Sequence, residues 1–521
     1  MAGFWVWLLV FAAILAVIQI LLNRKARSLN LPPGPRRFPV IGNLHQLGKR
    51  PHQSLARLSQ QYGPLMFIKV GRVPTIVVSS AEIAKEVMKT QDMVFANRPG
   101  LFAAEKLLYG GTGVIFSPYG EYWRQVRKIC ALELLSTKKV KSFQSVREEE
   151  VASMVSTISC FSHGDPVNLS KMFYTLTNRI SCKVALGHSE GDQTEYRLHK
   201  IVQELNSLLG SFFAADLFPS MGWVDVLTGI RARVKKNFRE LDSFLDEVIR
   251  NHRDKGVLEP TTANKDFVDI LLQAQKDYSL DIPLTLDNLK AIILVLFHPK
   301  ICFPCYKSLD PITNSGSPIV QDMFAAGTET SATTLEWLMS ELVKNPEAMR
   351  KAQEELHRVM GVKGKLNVSE DELPELEYLH SVIKEVLRLH PPAPLLVPRE
   401  SRNSTKINEF DIPAKTRVYI NAWAIGRHPD YWDRAEEFLP ERFMSSAIDF
   451  KGQTFEFIPF GAGRRSCPGY LFAIHTVALT VANLINHFEW AVPPGGLDMA
   501  ESNGIAHRKH PLFLLATPRC I

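Results

Sequence analysis

Near its C-terminal end the chain reads Phe460-Gly-Ala-Gly463-Arg464-Arg465-Ser-Cys467-Pro468-Gly469, and no other stretch constrains the fold as strongly. One cysteine sits in a tight, glycine-rich loop, behind two arginines and directly ahead of Pro-Gly. The glycines let backbone N–H groups approach the sulfur, the arginines offer charge-assisted contacts to an anionic group, and the proline stops the loop from running on. A thiolate that ligates iron needs such a setting. An isolated cysteine would by default be a small buried hydrophobe.

At 521 residues the length by itself suggests two or three domains. A composition of 45% hydrophobic and 22% charged residues allows a large core and argues against disorder. The formal charge of +7 is mild, and no run interleaves Lys/Arg with aromatics, so nucleic acid is not expected as a partner. An anionic membrane surface or an acidic protein partner is compatible with it. The seven cysteines (Cys130, Cys160, Cys182, Cys302, Cys305, Cys467 and Cys520) are odd in number and mostly scattered, which favours a reducing compartment over a disulfide framework. Cys302-Phe-Pro-Cys305 is a lone CxxC without a second pair at zinc spacing, and is assigned no function.

Phe4 to Leu22 is interrupted only by Gln19 and would span about 28 Å as a helix, enough for a bilayer core. Arg24, Lys25 and Arg27 follow it and no Lys or Arg precedes it, so the positive-inside rule places the rest of the chain in the cytosol. A cleaved signal peptide would have a basic start and a shorter apolar core. Residues 1–28 are therefore expected to be a single-pass anchor, and 29–35, with Leu31-Pro-Pro-Gly-Pro35, a stiff hinge.

Residues 64–79 alternate like a hairpin about Gly71-Arg-Val-Pro74. From about 81 to 390 the texture is helical, with amphipathic runs over 232–252 and 337–360. Irregular chain with short strands follows to 465, then a helix over 470–488 and β-like pieces such as Leu512-Phe-Leu-Leu515. No linker splits 36–521. The expected fold is mainly α with small β-sheets, one large helical domain after the membrane helix.

Three further motifs carry chemistry. Lys384-Glu385-Val-Leu-Arg388 sets a carboxylate and a guanidinium at i and i+3 on one helical face, and Pro440-Glu-Arg442-Phe offers a second guanidinium downstream. Trp123-Arg-Gln-Val-Arg127 places two donors four residues apart, able to converge on one anion. Ala325-Ala-Gly-Thr-Glu329-Thr330-Ser331 puts an acid–alcohol pair beside small residues in an apolar helix. There Thr330 can bond a preceding carbonyl and bend the helix where a ligand must fit.

Together these motifs resemble the cytochromes P450 over essentially the whole chain. The Pro-Pro-Gly-Pro hinge, Ala-Gly-Thr-Glu-Thr and Pro-Phe-Gly-Ala-Gly-Arg-Arg look like the large plant microsomal A-type group devoted mainly to specialised metabolism. The resemblance implies a haem with Cys467 as the axial thiolate ligand to iron, an arrangement that favours O–O cleavage. It implies that Trp123, Arg127, Arg399 (in Val397-Pro-Arg399) and Arg465 contact the haem propionates. It implies that Glu329 and Thr330 deliver protons, and that Glu385, Arg388 and Arg442 form a buried structural triad. Electrons would come from NADPH through NADPH–cytochrome P450 reductase at the endoplasmic reticulum membrane. One oxygen atom of O2 would enter an organic substrate and the other leave as water. The expected pocket walls are the 98–118 loop, Phe324 to Thr328, Ala393 to Val397 and Gly504 to Ala506. Being mostly apolar and small, they favour a compact lipophilic substrate such as a terpenoid or phenylpropanoid.

One segment breaks the pattern. Thr285 to Leu294 reads as the start of a helix that should continue into Asp322-Met-Phe-Ala-Ala-Gly327, yet residues 295–321 intervene with Pro299, Pro304, Pro311 and Pro318. Each proline costs about 3 kcal/mol inside a helix. Val295 has codons starting GT and Gln321 a codon CAG, the boundaries of an in-frame retained intron; a genuine surface insertion is the other explanation. Two other functions remain on this reading: an oxygen-independent haem-thiolate isomerase or dehydratase, against which the Glu329–Thr330 pair argues, and an inactive, mis-spliced haem-binding product.

Overall fold

The computed structural model describes residues 29–162, 164–187, 201, 204, 205, 208, 211, 213–255, 265–276, 282–296, 328–363, 365–502 and 506–519. The expected anchor over 1–28, the Cys302–Cys305 pair, most of 295–321, and residues 324–327 and 504–505 lie outside them. Among the described residues no helix is long and apolar enough to cross a membrane.

The small sheets form where hydrophobic alternation and turn chemistry agree. The hairpin pairs β1 (Leu65–Val70) with β2 (Val73–Val78) in antiparallel register, Leu65 opposite Val78. Its turn is only Gly71-Arg72, and Pro74 lies inside β2. That is tolerated because the parallel ladder of β2 with the strand Arg417–Ile420 begins only at Thr75, so no bond on that side is lost. β1 buries both faces. Leu65 and Phe67 join Val418 and Ile420 in one apolar cluster, while Met66, Ile68 and Val70 join Leu217 and Tyr419 in another. A strand covered on both sides reads as a continuous apolar run. The proline-rich stretch lies along β1: Phe67 N–H donates to the Pro33 carbonyl at 2.8 Å, and a Cβ on Gly34 would fall 1.9 Å from the Phe67 oxygen.

In chain order the other strands are β3 (Pro166–Asn168), β4 (Arg399–Glu400), β5 (Thr405–Ile407), β6 (Phe410–Ile412), β7 (Arg417–Ile420), β8 (Phe488–Ala491) and β9 (Phe513–Pro518). They make a four-stranded sheet of order β1-β2-β7-β4, a three-stranded sheet β3-β9-β8 and the pair β5-β6.

Helices make up the bulk. Those that position the site are α1 (Glu121–Ile129), α2 (Leu169–Leu186), α3 (Leu286–Leu296), α4 (Thr330–Lys344), α5 (Pro346–Lys363), α6 (Glu377–Leu389) and α7 (Tyr470–His487). The amphipathic run over 337–360 is two helices rather than one. Asn345 leaves helical geometry and Pro346 opens α5 at its first position, where a missing N–H costs nothing. α4 is the central element, packed on α2, α5, α6 and α7, with Trp337 fully buried. α7 is buried almost without a break from Thr476 to Asn486, as a helix apolar all round must be. Its polar residues are satisfied internally: Asn483 Nδ2 donates to the Val368 carbonyl and its Oδ1 accepts the Val368 N–H.

Candidate active site

The loop that carries Cys467 is held by features of its own sequence. Gly463 has φ +68°, and a Cβ there would lie 2.0 Å from the Met88 carbonyl oxygen, so only glycine fits. Cys467 N–H donates to the Phe460 carbonyl at 2.9 Å, closing the loop. α7 begins three residues later, so its N-terminus points at the sulfur. Burial pushes the Cys467 thiol up, while the N–H groups of Gly469 and Tyr470 and the charge of Arg127 pull it down. Those groups favour a thiolate, and metal coordination would complete the deprotonation.

Cys467 lines a cavity with about 2220 Å³ of space free of protein atoms, open mouth included. Trp123, Arg127, Glu329, Thr330, Arg399 and Arg465 line the same cavity. Residues far apart in sequence are thus brought together on one cavity. Their contacts differ in detail. The Trp123 indole N–H donates to the Val114 carbonyl at 2.8 Å, so it is the ring that faces the cavity, and Arg465 stacks over that ring at 4.2 Å. Arg465 donates to the carbonyls of Ala96, Val114 and Ser117. Arg127 Nη2 reaches Ser466 Oγ at 3.4 Å. Arg399 Nη1 donates to Asp92 Oδ1 at 2.9 Å and Nη2 to the Ala462 carbonyl at 2.8 Å.

Two members of this cluster add to the expected set: Arg98, expected only as part of the 98–118 wall, and Asp92, which was not foreseen. Arg98, 7% exposed, lines the cavity and donates to the carbonyls of Ile115, Val397 and Pro398. Asp92 accepts from Arg399 and from the backbone N–H of Arg464. Neither lies in a recognisable motif, since each is a single polar residue in ordinary surroundings.

The charge balance at this wall is one-sided. Arg98, Arg127, Arg399 and Arg465 all line the cavity, and the carboxylate beside them, Asp92, pairs with Arg399 and with the exposed Arg464. Burial, followed by repulsion from Arg399 and Arg127, pushes Arg465 down to about 9. Burial also lowers Arg98, helped by Arg465 and Arg399, and lowers Arg127. Buried cations of this density call for an anion. A porphyrin with two carboxylates, apolar faces and an iron open to a thiolate fits the donor set.

Glu329 and Thr330 form another wall, at the start of α4. Thr328 Oγ1 donates to Ser181 Oγ at 3.1 Å, tying this turn to α2. Of the expected walls, Arg98, Val114 to Phe116, Ala393, Leu396 and Val397 line the cavity, whereas from the tail it is His507 rather than Ala506. His507 was also not foreseen.

Glu385, Arg388 and Arg442 meet in a buried network. Arg388 grips both Glu385 oxygens at 2.8 Å, and Arg442 Nε reaches Oε1 at 3.1 Å. Glu385 Oε1 also accepts the Leu439 N–H, and Arg388 donates to the carbonyls of Gly426, Ala435 and Glu437.

The family model for cytochrome P450 matches residues 32–298 and 318–516. Cytochrome P450 71A1 of Persea americana is 50% identical over 485 residues, 91% of each chain. Phenylacetaldehyde oxime monooxygenase of Prunus mume is 47% identical, over 95% of this chain and 90% of its own. Premnaspirodiene oxygenase of Hyoscyamus muticus is 42% identical, over 98% and 97%. A zebrafish cytochrome P450 solved with abiraterone superposes with a TM-score of 0.72 at 25% identity, covering 91% of this chain and all of that one. The chain belongs to the cytochrome P450 family, in its plant A-type group, and is a cytochrome P450 monooxygenase.

Proposed function

We propose that this monooxygenase hydroxylates a small lipophilic plant metabolite, a terpenoid or phenylpropanoid, using electrons from NADPH passed on by P450 reductase. The observation that carries the reading is the convergence of Trp123, Arg127, Glu329, Thr330, Arg399, Arg465 and Cys467 on one cavity. Relatives named for phenylacetaldehyde oxime and for premnaspirodiene support a specialised metabolite as substrate.

When bound, the haem supplies O2 activation at an iron whose Cys467 ligand favours O–O cleavage. Cys467 would hold the iron. Arg98, Arg127, Arg399 and Arg465 would neutralise the propionates, with Trp123 as a platform for Arg465. Glu329 and Thr330 pass protons into the cavity from α4. The apolar walls exclude water and orient the substrate by shape. Glu385, Arg388 and Arg442 touch none of these groups; they lock α6 to the chain that leads into the Cys467 loop.

An electron-donating partner is supported by Arg124, Lys128 and Arg464, exposed cations beside the Cys467 loop, to which α1 is tied through Arg127 and Ser466. An anchored chain with a cytosolic body at the endoplasmic reticulum rests on the 1–28 pattern. It is supported by exposed Phe38, Val40, Trp223 and Leu227 (58%, 55%, 59% and 76%) in segments bonded to the β1–β2 turn. For 295–321 we infer a retained intron, supported by the gap in the family match between 298 and 318.

The test is turnover by membranes expressing the chain, with and without 295–321, on a terpenoid and phenylpropanoid panel with NADPH and reductase. Hydroxylated product that requires both is expected. Turnover without NADPH would favour an isomerase, and a reduced-CO thiolate spectrum without turnover in either form would favour an inactive product.

A further inference from the structure

Glu329 has a neighbour from a distant part of the chain. His507, between β8 and β9, places Nε2 2.9 Å from Glu329 Oε1 and Nδ1 2.6 Å from Thr333 Oγ1. Both residues are buried, Glu329 3% and His507 7% exposed, and both line the cavity. Glu329 and Thr333 are four residues apart at the start of α4 and so share a face, which one imidazole spans. The Nε2 direction is off the line to Oε1, so the contact is electrostatic rather than an aligned hydrogen bond.

The ring has little choice of position. On one side Trp337 Nε1 donates to the Ala506 carbonyl. On the other, Arg508 Nη1 donates to Ser340 Oγ at 2.7 Å and Nη2 to the Asp498 carbonyl at 2.6 Å. Ser502 N–H donates to the His507 carbonyl at 2.7 Å. The backbone around His507 is therefore stitched to α4, and Arg508 is turned away from Glu329. The two ring nitrogens thus face two different partners, Nε2 the carboxylate and Nδ1 the Thr333 hydroxyl.

We propose that His507 is the positioning residue for Glu329, holding its carboxylate in the orientation from which it moves protons into the cavity. This rests on Glu329 and Thr330 being the proton-handling pair.

The experiment uses the haem-loaded full chain with reductase and the panel substrate that turns over best. His507→Leu keeps volume and removes both polar contacts. His507→Gln keeps a donor where Nε2 lies. His507→Leu is expected to lower product per NADPH roughly tenfold, with peroxide rising and haem content unchanged, because misplacing a reacting group is costly. His507→Gln should restore most of the ratio. A second readout needs no turnover: thermal midpoints of Glu329→Gln, His507→Leu, His507→Gln and the corresponding double variants. Residues in contact should give double variants that fall by less than the sum of the singles. If Glu329→Gln uncouples the enzyme while both His507 variants match wild type and midpoints are additive, the proposal is overturned and the role of Glu329 stands. If Glu329→Gln leaves coupling unchanged, the role of Glu329 falls and the proposal falls with it. If His507→Leu loses haem, the Gln variant and its midpoint cycle decide.

Discussion

The Cys467 loop and the acid–threonine turn share one cavity but are built in different ways. The loop is over-determined. Gly463 has no substitute, Asp92 bonds the backbone N–H beside it, and the Glu385 network fixes the chain that leads into it. Among the described residues the contacts of the turn include Thr328 to Ser181 and Thr177, Glu329 to His507 and Thr333 to His507. A site that must hold a cofactor through every cycle gains from redundancy. A site that must release and regain protons gains from contacts weak enough to exchange. Changes at the loop should therefore act on haem retention and folding, and changes at the turn on how electrons are spent.

The largest effect is expected from Cys467→Ser. A neutral alcohol is a far weaker donor to iron, so the thiolate-type Soret band of the reduced CO complex should vanish. A band still at the thiolate position would break the comparison at its root. Next comes Glu385→Ala, which leaves the guanidiniums of Arg388 and Arg442 buried without their carboxylate. Removing one partner of a buried pair costs about 3–5 kcal/mol. Loss of folded, haem-loaded protein is expected on expression, and a thermal midpoint within a degree of wild type would show the network to be dispensable. Gly463→Ala should follow, since it adds backbone strain of about 1–3 kcal/mol to a clash with the Met88 carbonyl. Haem content per folded chain is the measurement, and full retention would mean that the loop can shift.

What could be read from sequence follows the same division. The Cys loop was legible because its determinants are neighbours: glycines, arginines and the thiol lie within ten residues. Glu385 and Arg388 were legible from helical spacing, and Arg442 only through the family pattern. Small sheets in a mainly helical body were legible from alternation, although Pro346 dividing one amphipathic run into two helices was missed. Asp92 and His507 were not legible, and Arg98 was legible only as part of a wall. Asp92 meets Arg399 across 307 residues, and His507 meets Thr333 across 174. No local pattern marks a residue whose partner is chosen by tertiary packing. Trp123 shows the converse: its motif reads the indole N–H as a donor to an anion, whereas in the structure the residue lines the cavity and that N–H donates to the Val114 carbonyl.

The smallest effect on the fold, and the sharpest on chemistry, is expected at Thr330. Thr330 lines the cavity, half-buried, and its carbonyl accepts from Thr334 Oγ1 at 2.8 Å. Thr330→Ala should leave the CO spectrum and thermal midpoint unchanged. Product per NADPH should fall roughly tenfold, less than the ~100-fold that a positioned proton-transfer group contributes, because Glu329 remains in place. Peroxide should account for the missing electrons. Thr330→Ser keeps the hydroxyl and loses only a methyl, so it should recover most of the coupling. Haem loss in Thr330→Ala would erase the distinction between the two walls. Unchanged coupling in both variants would mean that Thr330 only packs, and would move the proton path to Glu329 alone.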